Sequence, residues 1–136
     1  MHVNLIAVAV ASVAGMIVGA LWYGPQFGRA WRVAAGLDPK HQPPRPALAY
    51  GGALVSTIVT VVVLAGLTSL VGAGLDLAAM PAALLTAGAL WLGVAFARPL
   101  INLLFEGGRA RLFVINTGHD LAVLLVAAVI IGLFGN

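Results

Sequence analysis

Six polar residues that are capable of chemistry lie in two apolar stretches of the chain. They are Arg98, Asn102, Glu106, Asn116, His119 and Asp120. Ionisable groups inside a membrane-spanning helix are costly to insert, and by default they mark a functional site. Carboxylates beside a histidine can accept and donate protons near neutral pH. The composition of this cluster therefore predicts general acid–base chemistry.

A glycine pair, Gly107-Gly108, separates the two stretches and predicts a turn between two helices. With that turn at the centre, Arg98 lies at the same depth as His119-Asp120, and Asn102 lies at the same depth as Asn116. The helical period of 3.6 residues also places Arg98 and Asn102 on one stripe of the first helix. We therefore expect a helical hairpin with a polar seam between its two helices.

The expected roles of these residues fall into two groups. The candidate catalytic residues are Asp120, His119 and Glu106. The candidate substrate-binding residues are Arg98, Asn102, Asn116, Trp22, Tyr23, Tyr50 and Phe105. Structural alternatives exist for most of them, because buried charges can pair, asparagines can link helices and aromatic residues can form an interfacial belt. The three histidines and four acids are too dispersed to predict a metal site, and no cofactor is expected.

The composition indicates an integral membrane protein. Hydrophobic residues make up 62% of the 136 residues and charged residues only 8%, whereas a soluble domain has about 25% charged residues. The seven basic residues lie mostly in short loops between apolar runs. This placement is typical of residues that set membrane orientation, so nucleic acid is not an expected partner.

Four apolar runs predict an all-α fold, a polytopic membrane four-helix bundle in a single domain over 1–136. The spans are expected at about 3–23, 47–71, 77–105 and 112–134, since a bilayer core requires roughly 20 apolar residues. Pro99 is expected to kink the third helix, because it removes one backbone hydrogen bond and clashes with the preceding turn. Glycine and alanine on the helix faces favour close packing and predict a homo-oligomer.

Several sequence elements resemble a known family. They are Met1-His-Val-Asn4, the segment from Trp22 to Trp31 (WYGPQFGRAW), the segment from Asn102 to Gly107 (NLLFEG) and the segment from Leu112 to Gly118 (LFVINTG). These elements are similar to those of the small bacterial four-span membrane proteins of domain-of-unknown-function family 1761. The resemblance covers nearly the whole chain. It implies four helices and membrane residence, and it implies no activity.

Two positions depart from the pattern of that family. The family usually has an uncharged residue near Arg98 and Tyr-His at the position of His119-Asp120. The departures add opposite charges at one depth, which indicates that this member has specialised a shared pocket.

Charge in the loops predicts the orientation. The loop 24–46 and the loop around Arg109 and Arg111 are basic, whereas the second loop contains only Asp76. By the positive-inside rule the two basic loops are cytoplasmic and both termini lie outside. The expected location is the bacterial cytoplasmic membrane.

These observations lead to one preferred function and two alternatives. The preferred function is an acid–base enzyme of isomerase, cyclase or epoxide-opening type, with a pocket that faces the cytoplasm. The expected partners are membrane lipid and a lipophilic small molecule such as an isoprenoid. The alternatives are a small proton-coupled transporter, since membrane carboxylates also relay protons, and a non-catalytic membrane scaffold.

Overall fold

The computed structural model describes residues 3–135, and every regular element in this range is helical. The helices are α1 (Leu5–Leu21), α2 (Gly28–Ala35), α3 (Pro46–Leu75), α4 (Ala79–Leu90), α5 (Ala97–Glu106) and α6 (Ala110–Phe134). The segment Trp22–Gln26 continues α1 across a kink at Gly24, whose φ and ψ of −105° and −105° are not helical. The π-helical segment Trp91–Phe96 continues α4. Met1 and His2 of the family resemblance, and Asn136, lie outside the described residues.

Four helical stretches are long and apolar enough to cross a membrane. They are Leu5–Gln26, Pro46–Leu75, Ala79–Glu106 and Ala110–Phe134. The predicted fold class is thus confirmed, and the chain is a multi-pass membrane protein. In the third stretch the α-helical hydrogen-bond pattern is interrupted at Trp91–Phe96, and a bend centred on Pro99 stays a prediction.

Local signals in the sequence explain where the helices begin and end. The Asn4 side chain caps α1, because its Oδ1 accepts hydrogen bonds from the backbone N–H groups of the residues two and three positions later, at 3.0 and 3.1 Å. Proline in the first turn of α3 lacks an N–H that would have no partner there. Gly36 and Gly107 end α2 and α5 with φ of +72° and +67°, a conformation that glycine adopts without steric cost.

The hydrophobic core lies in one half of the bundle, where α6 packs along both α1 and α4 and α3 packs along the same two helices. Small residues allow this close approach. A Cβ added to Gly132 on α6 would lie 2.8 Å from the Cα of Met80, so only glycine fits there. We call this the packed half, and its core residues are Val8, Ala11, Val61, Leu64, Ala65, Ala83, Ala87, Leu124, Ala127, Ala128 and Ile131.

The other half of the bundle is open. Every α3 residue from Pro46 to Thr60 is exposed except Thr57, whereas Val61, Leu64 and Ala65 immediately beyond are fully buried. No residue of α5 is buried, and α5 contacts α6 much less than α4 does. We call this region the open half. In a membrane, the exposed apolar side chains of this region face lipid or line the groove between α3 and α6.

Helix α2 is attached to the hairpin loop by one arginine. The Nη1 of Arg109 donates to the backbone carbonyls of Ala34 at 2.6 Å and Val33 at 3.2 Å. These carbonyls belong to the last turn of α2, where the Val33 carbonyl also accepts from the Gly36 N–H at 3.2 Å. Arg109 therefore joins the first long loop to the turn between α5 and α6.

Candidate functional site

His119 and Asp120 form a hydrogen-bonded pair at the wall of a cavity in the open half. The His119 Nδ1 and the Asp120 Oδ1 are 3.2 Å apart, and the two side chains are 23% and 47% exposed. Both line a cavity of about 530 Å³ between α3, the Trp91–Phe96 segment and α6. An ionised carboxyl group can only accept hydrogen bonds, so in that state the Nδ1 atom carries the proton.

Aromatic rings hold His119 in place from the α1 side. The ring centroids of Tyr23 and His119 are 4.9 Å apart, and those of Trp22 and His119 are 6.4 Å apart. The Nε2 edge of His119 faces α1, because a Cβ built on Gly19 would lie 3.3 Å from this atom. The more exposed group of the pair is thus the Asp120 carboxyl group, and His119 is placed to orient it.

Two further contacts connect the end of α1 to α6. The Tyr23 hydroxyl donates to the Asn116 Oδ1 at 2.6 Å, and the Trp22 Nε1 donates to the Ile115 carbonyl at 3.0 Å. Gly118 makes room for the Trp22 ring, since a Cβ at this position would lie 3.0 Å from the Cζ2 of that ring. These contacts fix α6 one turn before Asp120.

The α3 wall of the cavity supplies hydroxyl groups that are already engaged as donors. The Thr57 hydroxyl donates to the Ala53 carbonyl at 2.8 Å, and the Thr60 hydroxyl donates to the Ser56 carbonyl at 2.9 Å. Each oxygen keeps lone pairs that can accept a hydrogen bond. The remaining lining is mainly aliphatic, so the cavity is an apolar groove with an acidic and hydroxylic patch.

The kinked segment Trp22–Gln26 and the π-helical segment Trp91–Phe96 each begin with a tryptophan that donates to α6. The Trp91 Nε1 donates to the Thr117 carbonyl at 2.8 Å, two residues from the carbonyl that accepts from Trp22. A buried indole N–H requires an acceptor, and here a backbone carbonyl provides it. The two tryptophans therefore hold α6 at one level from two neighbouring helices.

The two tryptophans belong to an internal sequence repeat. Residues 19–29 (GALWYGPQFGR) and 88–98 (GALWLGVAFAR) share Gly, Ala, Leu, Trp, Gly, Phe and Arg at equivalent positions. Helices α3 and α6 also share a Gly-Leu pair, Gly66-Leu67 in α3 and Gly132-Leu133 in α6. Each pair has another glycine at the same distance before it, Gly52 in α3 and Gly118 in α6. Repeats that run in the same direction are a common way to build membrane bundles. The shared positions relate α1 to the third helical stretch and α3 to α6.

The structure separates several of the predicted site residues from the His119–Asp120 pair. None of the following residues lines the 530 Å³ cavity. They are Trp22, Tyr23, Tyr50, Arg98, Asn102, Phe105, Glu106 and Asn116. Trp22, Tyr23 and Asn116 still contact each other or α6 beside the pair, whereas Tyr50 and Phe105 are 61% and 88% exposed.

Arg98, which was expected at the same depth as His119 and Asp120, forms no ion pair with Asp120 among the described residues. Among residues 3–135 the ion pair within 4 Å that involves Asp120 is the one with His119. Arg98, Asn102 and Glu106 are exposed on α5. The polar seam expected between the two helices of the hairpin does not form, because α5 and α6 make few contacts with each other.

Sequence reasoning did not assign the α3 hydroxyl groups or Trp91 to the site. Ser56, Thr57 and Thr60 line the cavity, and their presence in an apolar span was the available signal. Trp91 lies in the middle of an apolar span, where its indole N–H requires a hydrogen-bond acceptor. This requirement was the signal in the sequence that Trp91 contacts another helix. The repeat of the Trp22 segment was a further signal.

A family match accounts for the chain as a whole. The family described as Protein of unknown function (DUF1761) matches residues 6–132. The chain belongs to this family. No curated protein and no solved structure matches it. The match agrees with the resemblance drawn from the sequence elements, and it assigns no activity to the His119–Asp120 pair.

Proposed function

We propose that this member of the family binds a lipophilic small molecule, such as an isoprenoid, in the 530 Å³ cavity and acts on it as an acid–base enzyme of isomerase, cyclase or epoxide-opening type. One observation carries the proposal. Asp120 is a carboxyl group 47% exposed at the wall of a mainly aliphatic cavity, within a helix that is apolar enough to span a membrane. Such groups are costly in a membrane and are retained where they function.

Asp120 is the proposed proton donor and acceptor. A carboxylic acid in an apolar site can protonate an alkene or an epoxide oxygen. In an isomerisation the same carboxylate then removes a proton from a neighbouring carbon atom, so no cofactor is consumed. His119 orients Asp120 through its Nδ1, and Tyr23 and Trp22 hold the imidazole ring.

The packing of the bundle supports an enzyme more than a transporter. A transport path requires polar groups at several depths, but Val61, Leu64 and Ile131 in the packed half are fully buried. The cavity lies in the half that is nearer the basic loops, so the positive-inside rule supports an opening toward the cytoplasm. Glu106 lies outside the cavity wall, and the proposed chemistry does not use it.

The test compares membranes that contain the wild-type chain with membranes that contain Asp120→Asn at equal protein level. Lipid extracts are analysed by mass spectrometry after chromatographic separation. A substrate and an isomeric or ring-opened product are expected with the wild type, and turnover is expected to fall by about 10²- to 10⁴-fold in Asp120→Asn. Asp76→Asn, in the exposed loop between α3 and α4, is the matched control and should retain full turnover.

Two other outcomes would refute the enzyme. A compound that keeps its structure but moves between cells and medium would establish transport instead. Identical extracts from wild type and Asp120→Asn would leave the His119–Asp120 pair as a structural contact and favour a scaffold.

A further inference from the structure

Three hydroxyl groups line the cavity, those of Ser56, Thr57 and Thr60, and two of them are already engaged as donors. The hydroxyl hydrogens of Thr57 and Thr60 are donated to carbonyls of their own helix at 2.8 and 2.9 Å. A hydroxyl group has one hydrogen to donate, so both oxygens are left with acceptor capacity only. A ligand that meets these groups must bring its own N–H or O–H donors.

A further acceptor lines the same cavity. The carboxylate of Asp120, when ionised, accepts hydrogen bonds and donates none. The donor in this wall with a fixed hydrogen-bond partner is the His119 Nδ1, which is directed to Asp120.

The basic neighbour of the Asp120 carboxyl group in this wall is His119, at 3.2 Å. The cavity lining contains no lysine and no arginine among the described residues. Arg111 lines a separate cavity of about 390 Å³ with Phe27 and Ala30, and Arg109 is bonded to α2. A carboxylate in surroundings of low dielectric constant gains strongly from a cation at short range.

We infer that the cavity recognises a positively charged nitrogen head group, such as a protonated primary amine, attached to an apolar body. The ammonium group would meet the Asp120 carboxylate and the oxygens of Thr57 and Thr60, while the body lies along the aliphatic wall of Val63, Val94 and Leu124. This inference rests on the cavity named under the proposed function, takes Asp120 in the ionised state in which it accepts a proton, and adds the charge of the ligand. The same wall would stabilise a cation that forms when an alkene or epoxide is protonated.

The test is calorimetric titration of the full-length chain in maltoside micelles with three probes of one chain length, n-decylammonium, decan-1-ol and decyl sulfate. Titration into micelles alone provides the blank. The wild type should bind decylammonium at least about tenfold more tightly than decanol, because charge-assisted hydrogen bonds are about twice as strong as neutral ones. Decyl sulfate should bind more weakly than decanol.

Two variants then assign the preference to the cavity. Asp120→Asn should remove the preference for decylammonium and leave decanol binding within about twofold, because the hydrocarbon contacts are unchanged. Thr60→Val should weaken decylammonium by about threefold through the loss of one neutral acceptor. Asp76→Asn, which removes an exposed carboxylate outside the cavity, should bind all three probes as the wild type does.

The outcomes distinguish the two proposals. If decanol binds and decylammonium binds no more tightly, the charge preference is wrong and the cavity remains a site for lipophilic ligands. If decanol and decylammonium both fail to bind the wild type, the cavity is not a ligand site, and the proposed function fails with the inference. Should Asp120→Asn not fold, the comparison of the three probes on the wild type still decides the charge preference.

Discussion

The two copies of the repeated segment, 19–29 and 88–98, begin alike and end differently. In both copies the regular α-helix ends at the tryptophan, before a kink at Gly24 in the first copy and before a π-helical turn in the second. Both tryptophans donate to a carbonyl of α6. The first copy then leaves the membrane span, through Pro25 and the short helix α2, which Arg109 holds in place. The second copy continues as α5, which stands apart from α6. The shared residues therefore give both segments the same tryptophan hydrogen bond to α6, but they do not determine the direction of the chain after it.

The difference explains why one side of the bundle is open. In a symmetric arrangement of two helix pairs, Trp22 would contact α6 and Trp91 would contact α3. Instead both tryptophans donate to α6. Neither donates to the first half of α3, which is exposed. The cavity occupies the space beside this unsupported half. Only the second pair carries charged and imidazole groups there, since His119 and Asp120 stand where the first pair has Ala53 and Leu54.

The largest effect that tests this comparison is expected at the equivalent glycines, Gly118 and Gly52. A Cβ at Gly118 would lie 3.0 Å from the Trp22 ring, whereas a Cβ at Gly52 would meet nothing within 4 Å. Gly118→Ala should lower the free energy of unfolding by about 1–3 kcal/mol through overpacking. Gly52→Ala should raise it by about 0.5–1 kcal/mol, because alanine loses less backbone entropy in a helix.

The measurement is unfolding of the purified chain in mixed micelles of maltoside and dodecyl sulfate, followed by circular dichroism. Gly74→Ala, near the end of α3 with open space around it, is a control for helix propensity. Equal effects at Gly118 and Gly52 would show that α3 and α6 are packed alike at these two positions. The exposure of the first half of α3 would then not be a property of the protein.

An intermediate effect is expected when the tryptophans are replaced. Trp22→Phe and Trp91→Phe each remove one hydrogen bond to an α6 carbonyl, at 3.0 and 2.8 Å. Each should lower the free energy of unfolding by about 0.5–1.5 kcal/mol. Only Trp22 lies beside the His119 ring, at 6.4 Å, so Trp22→Phe should also weaken decylammonium binding. Calorimetry that found both variants equally impaired in binding would contradict the distinct role of Trp22.

The smallest effect is expected at the equivalent arginines, Arg29 and Arg98. Both are exposed, and Arg98 forms no ion pair with Asp120. Arg29→Gln and Arg98→Gln should each change the free energy of unfolding by less than about 0.5 kcal/mol. Arg98→Gln should bind decylammonium as the wild type does. A large loss of binding in Arg98→Gln alone would restore Arg98 as a substrate-binding residue and break its equivalence with Arg29.

Hydropathy was sufficient to predict the spans because a membrane demands long apolar helices. The neighbouring positions of His119 and Asp120 also predicted their contact, since adjacent residues remain close in any helix. These features depend on composition and on local spacing. They hold whichever way the helices turn toward one another.

The facing of the helices could not be predicted in the same way. Helices α3 and α6 are apolar on nearly all sides, so no hydrophobic stripe indicates which face packs inward. The alignment of Arg98 with Asp120 by depth assumed that the hairpin closes, and depth alone does not fix the separation of two helices. The π-helical turn at Trp91 has no simple sequence signal either, and it changes the direction of every later side chain.

The contact between Arg109 and α2 has a consequence for biosynthesis. The arginine stands 75 residues after the carbonyl of Ala34 that it binds. A chain made from its N-terminus therefore contains α2 long before Arg109 exists. During that interval the bonds from Gly36 and Leu37 to the Val33 and Arg32 carbonyls are the ones that close the end of α2, and the bond from Arg109 to Ala34 forms only after α3, α4 and α5 have been made.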